Sequence, residues 1–404
     1  MSSRAPVCAW VVACVFVSAG AVGAQERTAS DIVEAIVREG PRAAAIRADV
    51  EVVRREQQAR LVRPNPGLIY SREGAGFTEF FQLEQPLPAF GLRGTLQRAG
   101  AAAAAAAEAE RDRRLWDLRV DATRAVERWR WAQFRVEGTT ADARTVERLV
   151  DVLRVREREG EGSRFDRLRG EQELAELKQA GVAATVELAD ARSAVAALLP
   201  AGMTVTRLTG NQRGVAAVPE PDALITRART ARPELRALQS GLDRSALEAE
   251  AARRARRPAP VLTGGLKRAD NDGERQRGTA FGLNVSVPLF DSGAREAARW
   301  TAEGARITAE RAAIEHEIRA EILRAAEALT LRQQALATAG DDALASELVT
   351  TAEVAYREGE IGIVVLLDAV RTASRARQRD LERRLDLRLA EIALERAVGE
   401  GLWP

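Results

Sequence analysis

The stretch from Leu92 to Glu159 constrains the fold of this chain more than any other feature. It contains no proline, and from Leu115 onward apolar or small residues recur at alternating three- and four-residue steps, as in left-handed coiled coils. The positions of this seam are Leu115, Leu118, Ala122, Ala125, Trp129, Ala132, Val136, Thr139, Ala143, Val146, Val150 and Leu153. One helix of this length would span about 100 Å at 1.5 Å per residue. No ordinary globular domain requires such a helix, so this one bridges a distance.

A strand, a proline and a glycine precede this helix, and the same order recurs in the second half of the chain. The strand-to-helix turn residues are Pro86, Pro88 and Gly91 in the first half and Pro288, Phe290 and Gly293 in the second. The two sets are about 200 residues apart, half the chain, which indicates two tandem repeats. We predict a first repeat at 25–200, a linker rich in glycine and proline at 201–220, and a second repeat at 221–404.

Each repeat is predicted to carry one β-hairpin, at 68–86 and at 261–288. In the last strand, large apolar residues alternate with small or polar ones. The apolar set is Phe281, Leu283, Val285 and Val287, and the intervening set is Ala280, Gly282, Asn284 and Ser286. Period-two alternation places the two sets on opposite faces of a strand. We interpret the apolar face as lipid-facing.

Helices fill the remainder of each predicted repeat. We expect one helix at about 28–62 and one at about 221–254, each before its hairpin. After the second hairpin we expect one unbroken helix at about 294–357 and a returning helix at about 364–398. The predicted fold class is therefore mainly α with a small β part, in which four strands adjoin long coiled-coil helices.

Residues 1–24 have the pattern of a secretory signal peptide, with Arg4 before an apolar run and small residues before the cleavage point. Both cysteines, Cys8 and Cys14, lie in this segment, so a protein cleaved after Ala24 has no thiol and no disulfide. Residues 11–14 also resemble a lipoprotein cleavage box, which would leave Cys14 acylated, and this alternative stays open. In either case the chain is exported and relies on packing and oligomerisation for stability.

Composition and motifs argue against several classes of function. The net charge of +2 implies no bulk attraction to nucleic acid. His316, the only histidine, lies between Glu315 and Glu317 without the partner spacing of a metal site. The sequence contains no glycine-rich phosphate loop and no nucleophile elbow. We therefore predict no catalytic residue, no metal site and no cofactor, and we do not expect an enzyme.

Four strands per chain limit how the hairpins can lie in a membrane. They cannot close a barrel alone, and open strand edges are not tolerated in lipid. Because the smallest transmembrane barrels have about eight strands, several chains must share one. The small and polar strand face would then line a wet interior, and the long helices would continue the barrel as a tube.

Three motifs point to one family. They are Gln85-Pro86-Leu87-Pro88 with Gly91, Val285-Ser286-Val287-Pro288-Leu289-Phe290-Asp291-Ser292-Gly293, and Tyr356-Arg357-Glu358-Gly359 running into Leu366-Leu367-Asp368-Ala369. In these residues the chain resembles the TolC-type outer-membrane efflux channels of Gram-negative bacteria. The resemblance implies a homotrimer with twelve strands in the outer membrane and a periplasmic α-helical barrel. It also implies docking on a periplasmic adaptor protein and on an inner-membrane pump of the RND or ABC type.

The resemblance extends in part to one branch of this family. Asn65-Pro66 and Glu84-Gln85 resemble the heavy-metal, CzcC-like branch, although Gly91-Leu92-Arg93 stands where that branch has Gly-Lys-Arg. The sequence does not specify the exported substrate, which is a metal cation, a drug or a peptide. A passive duct carries what its pump delivers, and residues of the lumen only tune charge selectivity.

The resemblance also implies a periplasmic tip at the two inter-helix turns. The tip residues expected to meet the adaptor are Gly160, Ser163, Phe165, Leu168, Gly359, Ile361, Gly362, Ile363, Val365 and Leu366. We expect the apolar side chains of Phe165, Ile361 and Ile363, with residues 364–365, to be exposed. The implied pore gate consists of acidic residues, Asp166 and Asp368. We favour Asp368, because it lies deeper in its helix and the helix dipole explains it less.

A second class of protein shares the coiled coil. A periplasmic adaptor of the membrane-fusion type would have helical hairpins without its own membrane barrel. It would need lipoyl-like and barrel domains in place of the two strand–proline–helix units. We therefore predict a passive outer-membrane duct of a tripartite efflux system or a type I secretion system, with most of the chain in the periplasm.

Overall fold

The computed structural model describes residues 25–74, 78–88, 91–210, 214–215, 217–271, 274–286, 290, 293–338 and 342–403. The predicted signal peptide with Cys14, and also Val287 and Pro288, lie outside the described residues. The chain is mainly helical with two small sheets. Its elements are β1 (Gln25–Thr28), α1 (Ala29–Glu39), α2 (Pro41–Ala59), β2 (Gly67–Glu73), β3 (Thr78–Pro86), α3 (Leu92–Glu159), α4 (Arg164–Ala196), β4 (Val205–Thr209), α5 (Pro221–Ala231), α6 (Pro233–Ala255), β5 (Pro260–Asn271), β6 (Glu274–Val285), α7 (Ala294–Ala337), α8 (Asp342–Arg357) and α9 (Ile363–Val398).

Helix α3 is one continuous helix of 68 residues, as its seam predicts. Seam residues such as Ala122, Trp129 and Val150 are almost fully buried. The helix ends at Gly160, whose left-handed backbone (φ 79°) suits glycine. Ser163 then caps α4 by accepting a hydrogen bond from the Phe165 N–H, and α4 packs back along α3.

Two predicted helices are wrong in the same way, because each is divided at a proline. The expected helix at 28–62 is split into α1 and α2, since Gly40 is extended (ψ 152°) before Pro41. The expected helix at 221–254 is split into α5 and α6, since Arg232 (ψ 118°) precedes Pro233. A proline pushes the preceding residue out of the α region and then suits the first turn of a new helix.

The expectation of one helix at about 294–357 is also wrong. Helix α7 ends at Ala337 with Thr338 as its C-terminal cap, and α8 begins at Asp342. The intervening residues 339–341 lie outside the described part of the chain. Their sequence includes Gly340 and Asp341, a helix-stopping residue followed by a helix-capping one.

Residues 201–220, which we predict to be the linker between repeats, contain a strand that the sequence pattern did not reveal. Strand β4 pairs in parallel with β1 at the start of the described chain. Val205 and Leu208 of β4 are buried in a core cluster with Ile32, Ile36 and Trp129. The linker therefore contributes to the packing of the first half.

Strands β2, β3, β5 and β6 form one antiparallel sheet in that order. The central pairing, between β3 and β5, joins the hairpins of the two halves. Strands β2 and β6 lie at the two edges. A second connection between the halves is helix α9, which packs on α3, α4, α7 and α8. None of the described helices is long and apolar enough to cross a lipid bilayer.

Candidate functional site

Strand register divides the sheet into two faces, because directly opposed residues point to the same side. Tyr70 lies opposite Phe81, and Phe81 lies opposite Leu266. Leu262 lies opposite Leu283. Continuing these pairs places nine large apolar residues on one face: Leu68, Tyr70, Phe81, Leu83, Leu262, Leu266, Phe281, Leu283 and Val285. All nine are exposed in the single chain, Phe281 by 85% and Leu68 by 80%.

The opposite face is mostly small or polar. Its members include Ser71, Gln82, Glu84, Thr263, Gly265, Ala280, Gly282 and Asn284. Ile69, Phe80 and Val261 also lie on this face, and the ammonium of Lys267 covers the Phe80 ring at 5.5 Å. The alternation predicted for β6 is thus confirmed, and the register extends it across all four strands.

Charged residues bound the apolar face towards the hairpin tips. Arg72 lies opposite Glu79, which lies opposite Arg268. The Tyr70 hydroxyl donates a hydrogen bond to Glu79 Oε1 at 3.1 Å, and the Arg268 guanidinium lies 5.9 Å from the centre of the Phe81 ring. Amphipathic aromatic residues and charges are typical of the boundary between an apolar layer and water.

The two strand-to-helix turns use glycine in the same conformation. Gly91 (φ 77°) precedes α3 and Gly293 (φ 66°) precedes α7, both in the left-handed region. A Cβ on Gly293 would lie 2.6 Å from the carbonyl oxygen of Ala252, so a side chain does not fit. Of the other predicted turn residues, Pro86 ends β3 opposite Val261, Pro88 lies two residues beyond that strand, and Phe290 is fully exposed.

The two inter-helix turns come together at one end of the helices. Gly160 and Gly359 are both left-handed and both donate a backbone hydrogen bond of 3.2 Å, to Glu157 and Tyr356 respectively. The Arg156 guanidinium lies over the Tyr356 ring at 5.3 Å from its centre, which connects the turns. The structure thus brings together residues that are about 200 positions apart in the sequence.

Only part of the predicted tip is exposed. Phe165 is 64% exposed, and Leu168, Val364 and Val365 are about half exposed. In contrast, Ile363 and Leu366 are buried in a cluster with helices α3 and α4. The expectation of an exposed Ile363 is therefore wrong, since the first turn of α9 faces this cluster. Ile361 is partly buried against the same cluster.

The two proposed gate residues differ in their surroundings. Asp166 lies in the first turn of α4 and is partly buried. Asp368 lies further into α9 and is exposed. Arg371 follows Asp368 by three residues. The pKa of its guanidinium is raised, chiefly by its hydrogen bond to Glu173 and to a smaller extent by the charge of Asp368.

Sequence reasoning missed the ion pairs that attach α9 to the first half. Arg371 binds the buried carboxylate of Glu173, and Arg377 binds that of Asp142. Arg388 lies 3.4 Å from the buried Glu127. The only available signal was an arginine series on α9 at helical spacing, which a solvated helix face would also show. Among the described residues, no cluster of histidine, cysteine, aspartate and glutamate could hold a metal ion.

The second half of the chain matches a protein family model. Residues 224–400 match the model described as outer membrane efflux protein. No sequence among the curated proteins matches the chain.

Solved structures share the fold over nearly the whole length. The outer-membrane channel OprN has a TM-score of 0.70 at 20% identity, with 93% of this chain and 91% of that one covered. The CmeC outer membrane channel of Campylobacter jejuni has a TM-score of 0.72 at 12% identity, covering 92% and 86%. The open state of the MtrE outer membrane channel of Neisseria gonorrhoeae has a TM-score of 0.69 at 19% identity, covering 93% and 89%. Because the sequence identities are only 12–20%, these similarities show a shared fold and nothing more.

Proposed function

We propose that this chain, whose residues 224–400 match the outer membrane efflux protein model, is a passive trimeric duct. Three copies would join their sheets into a twelve-stranded barrel in the outer membrane, and the long helices would continue it as a periplasmic tube. The observation that carries this proposal is the apolar sheet face, on which nine large side chains are exposed in the single chain.

The isolated sheet has an apolar face exposed to water and two unpaired edges. Burial in lipid would cover the face, and pairing with neighbouring copies would cover the edges. Apolar surface costs roughly 25 cal/mol per Å² while it stays in water. In addition, the outer edges of β2 and β6 would expose unpaired backbone groups, which are not tolerated in lipid. If β6 of one copy pairs with β2 of the next, three four-stranded sheets close without an edge.

In the same arrangement, the predicted tip and gate residues would lie at the periplasmic end of the tube. By its resemblance to the family, the chain would contact a periplasmic adaptor at this tip and, through the adaptor, an inner-membrane pump of the RND or ABC type. Asp166 and Asp368 would form acidic rings near the narrow end of the tube. The repeats at 25–200 and 221–404 would each supply one hairpin and one long helix pair, and a type I secretion system would use the same duct.

The lipid-facing assignment is tested by placing a charge on each sheet face. Leu283→Arg puts a charge on the apolar face, where a mid-membrane arginine costs about 2–4 kcal/mol. We expect a reduced yield of trimer in isolated outer membranes, measured by gel electrophoresis without heating. The neighbouring Asn284→Arg serves as a matched control, because the opposite face would be wet and should accept the charge.

The comparison between the two variants decides the assignment. A normal trimer yield from Leu283→Arg together with a loss from Asn284→Arg would mean that the two faces are inverted. Equal yields from both variants would mean that this strand does not lie in lipid.

A further inference from the structure

Four segments of the chain join helices to the four-stranded sheet, and the strand register places them at one end of it. The start of β2 lies opposite the end of β3, which lies opposite the start of β5, which in turn lies opposite the end of β6. Counted with the four nearest residues of each helix, the segments are 56–66, 87–95, 252–259 and 286–297. They contain eight arginines but only three acidic residues, so this end of the sheet is strongly basic.

Contacts between these segments bring the arginines onto one surface. Gln85 Nε2, at the end of β3, donates a hydrogen bond to the carbonyl of Pro64 at 3.1 Å. Arg254 Nη1 donates to the carbonyl of Gly91 at 3.4 Å. The turn at Gly293 packs closely against the carbonyl of Ala252. We call the resulting surface, formed by the arginines of the four segments, the basic rim.

Most arginines of the basic rim have no protein carboxylate to neutralise them. Arg60 binds Glu248 at 2.6 Å, and Arg254 binds Glu250 at 2.8 Å. The guanidinium groups of five other arginines are exposed and have no partner among the described residues: Arg63, Arg93, Arg253, Arg256 and Arg295. A planar guanidinium can donate two parallel hydrogen bonds to a phosphate group, so these five groups suit a phosphate-bearing partner.

The basic rim adjoins the apolar sheet face. The residues of that face nearest to the rim are Leu68, Leu83, Leu262 and Val285. Phe290, in the last of the four segments, is fully exposed. An apolar surface bounded by guanidinium groups has the layout of a bilayer edge, where the acyl chains end and the phosphates begin. A soluble phosphate compound would contact the arginines but would leave the adjoining apolar side chains uncovered.

We propose that the basic rim binds the phosphate groups of anionic phospholipids, such as phosphatidylglycerol, in the leaflet on the side of the helices. This inference rests on the proposed function, in which the apolar sheet face contacts lipid. The acyl chains would cover that face, and the headgroups would lie against the unpartnered arginines. Phosphatidylcholine has the same phosphate, but its own ammonium group offsets the charge, so the rim would prefer the anionic lipid.

Spin-label spectroscopy of the full-length protein in vesicles tests the proposal. Phosphatidylcholine vesicles contain a trace of phosphatidylglycerol or of phosphatidylcholine with a spin label on the acyl chain, and the immobilised fraction measures association of that lipid with the protein. At low salt we expect a preference of about threefold for phosphatidylglycerol, because several arginines lie near its phosphate. At about 1 M salt, where the Debye length is about 3 Å, the preference should disappear.

A triple variant removes one unpartnered guanidinium from each of three segments: Arg93→Gln, Arg256→Gln and Arg295→Gln. We expect this variant to immobilise the two labels nearly equally at low salt. All three side chains are exposed, so the protein should still fold. Immobilisation of labelled phosphatidylcholine shows directly whether the variant is inserted in the bilayer.

The matched control is the triple variant Arg192→Gln, Arg229→Gln and Arg319→Gln. These exposed arginines of α4, α5 and α7 lie outside the basic rim and have no partner among the described residues. The control removes the same charge and should keep the native preference for phosphatidylglycerol. Equal losses in the two triple variants would overturn the proposal, because net charge and not the rim would then set the preference.

The remaining outcomes separate this proposal from the proposed function. Immobilisation of both labels to the same extent by the native protein would overturn the binding of anionic lipid and leave the lipid-facing assignment intact. Immobilisation of neither label would contradict both. Sodium glycerophosphate is compared with sodium chloride at the same low ionic strength. If glycerophosphate alone abolishes the preference, the rim binds soluble phosphate compounds, and the assignment to lipid is wrong.

Discussion

At the scale of single residues, the two strand-to-helix glycines show how one backbone conformation determines a choice of amino acid. Gly91 and Gly293 both have positive φ before a long helix. The sequence identified them through the repeated proline–glycine spacing, without knowledge of their conformation. The structure supplies the reason at Gly293, because Ala252 leaves no space for a side chain.

Gly293→Ala should therefore lower the thermal unfolding midpoint of the purified protein, measured by circular dichroism. The left-handed conformation alone costs a residue with a Cβ about 1–2 kcal/mol, and the contact with the Ala252 oxygen adds to it. Gly138→Ala is the matched control. Its Cβ would meet nothing within 4 Å, and alanine in a helix is favoured by about 1 kcal/mol, so its midpoint should rise. A midpoint for Gly293→Ala at or above that of the native protein would contradict this account.

At the scale of elements, helix α9 connects the two halves through buried ion pairs, in addition to the β3–β5 pairing and the packing of α6 on α3. Its arginines bind three carboxylates of α3 and α4 that are buried: Glu127, Asp142 and Glu173. Removing one partner of a buried pair leaves the other uncompensated. The attachment of α9 is therefore more sensitive to these carboxylates than to exposed ion pairs.

Glu173→Gln should destabilise the protein by about 2–3 kcal/mol, measured by denaturant unfolding. The cost falls below the usual value for a buried pair, about 3–5 kcal/mol, because Arg371 keeps part of its side chain in solvent. Glu147→Gln is the control, since Glu147 of α3 pairs with Lys178 of α4 on the surface, and exposed pairs contribute little. Equal effects of the two variants would show that burial of Glu173 does not matter.

At the scale of the whole molecule, the exposed tip residues define the surface proposed for the adaptor. A double variant, Phe165→Asp with Val365→Asp, should abolish efflux while trimer and membrane insertion persist, because both side chains are exposed. Drug or metal accumulation in cells measures efflux. Ile363→Asp should instead reduce the amount of folded protein, since Ile363 is 3% exposed. Normal efflux from the double variant would remove the docking proposal.

The proposed gate belongs to the same scale, because a ring of carboxylates would exist only in the proposed trimer. Asp368→Asn should reduce cation selectivity and block by multivalent cations, since a narrow constriction strengthens each interaction. Single-channel conductance of the purified trimer in a bilayer measures both. An effect of Asp166→Asn without an effect of Asp368→Asn would assign the gate to Asp166. If neither variant changes conductance, the constriction is apolar.

The sequence by itself determined the features that depend on local periodicity. Alternating three- and four-residue spacing was sufficient for α3, and period-two alternation was sufficient for the faces of β6. Motifs of the second half were sufficient to predict the outer membrane efflux protein model that residues 224–400 match. These signals are strong because each repeats over many positions and depends little on distant contacts.

Tertiary structure decided the features that depend on distant partners. The helices break at Gly40 and Arg232, each directly before a proline, and the sequence alone allowed that proline either at a helix start or at a kink. At Arg232 the side chain is buried and donates a hydrogen bond to the carbonyl of Ala397. Strand β4 was missed because it is short and pairs with β1, a strand far away in the sequence, and no local pattern reports such a contact. Ile363 is buried because α9 turns it towards α3 and α4. Local periodicity gives the face of an element, whereas only the packing of the other elements decides what covers that face.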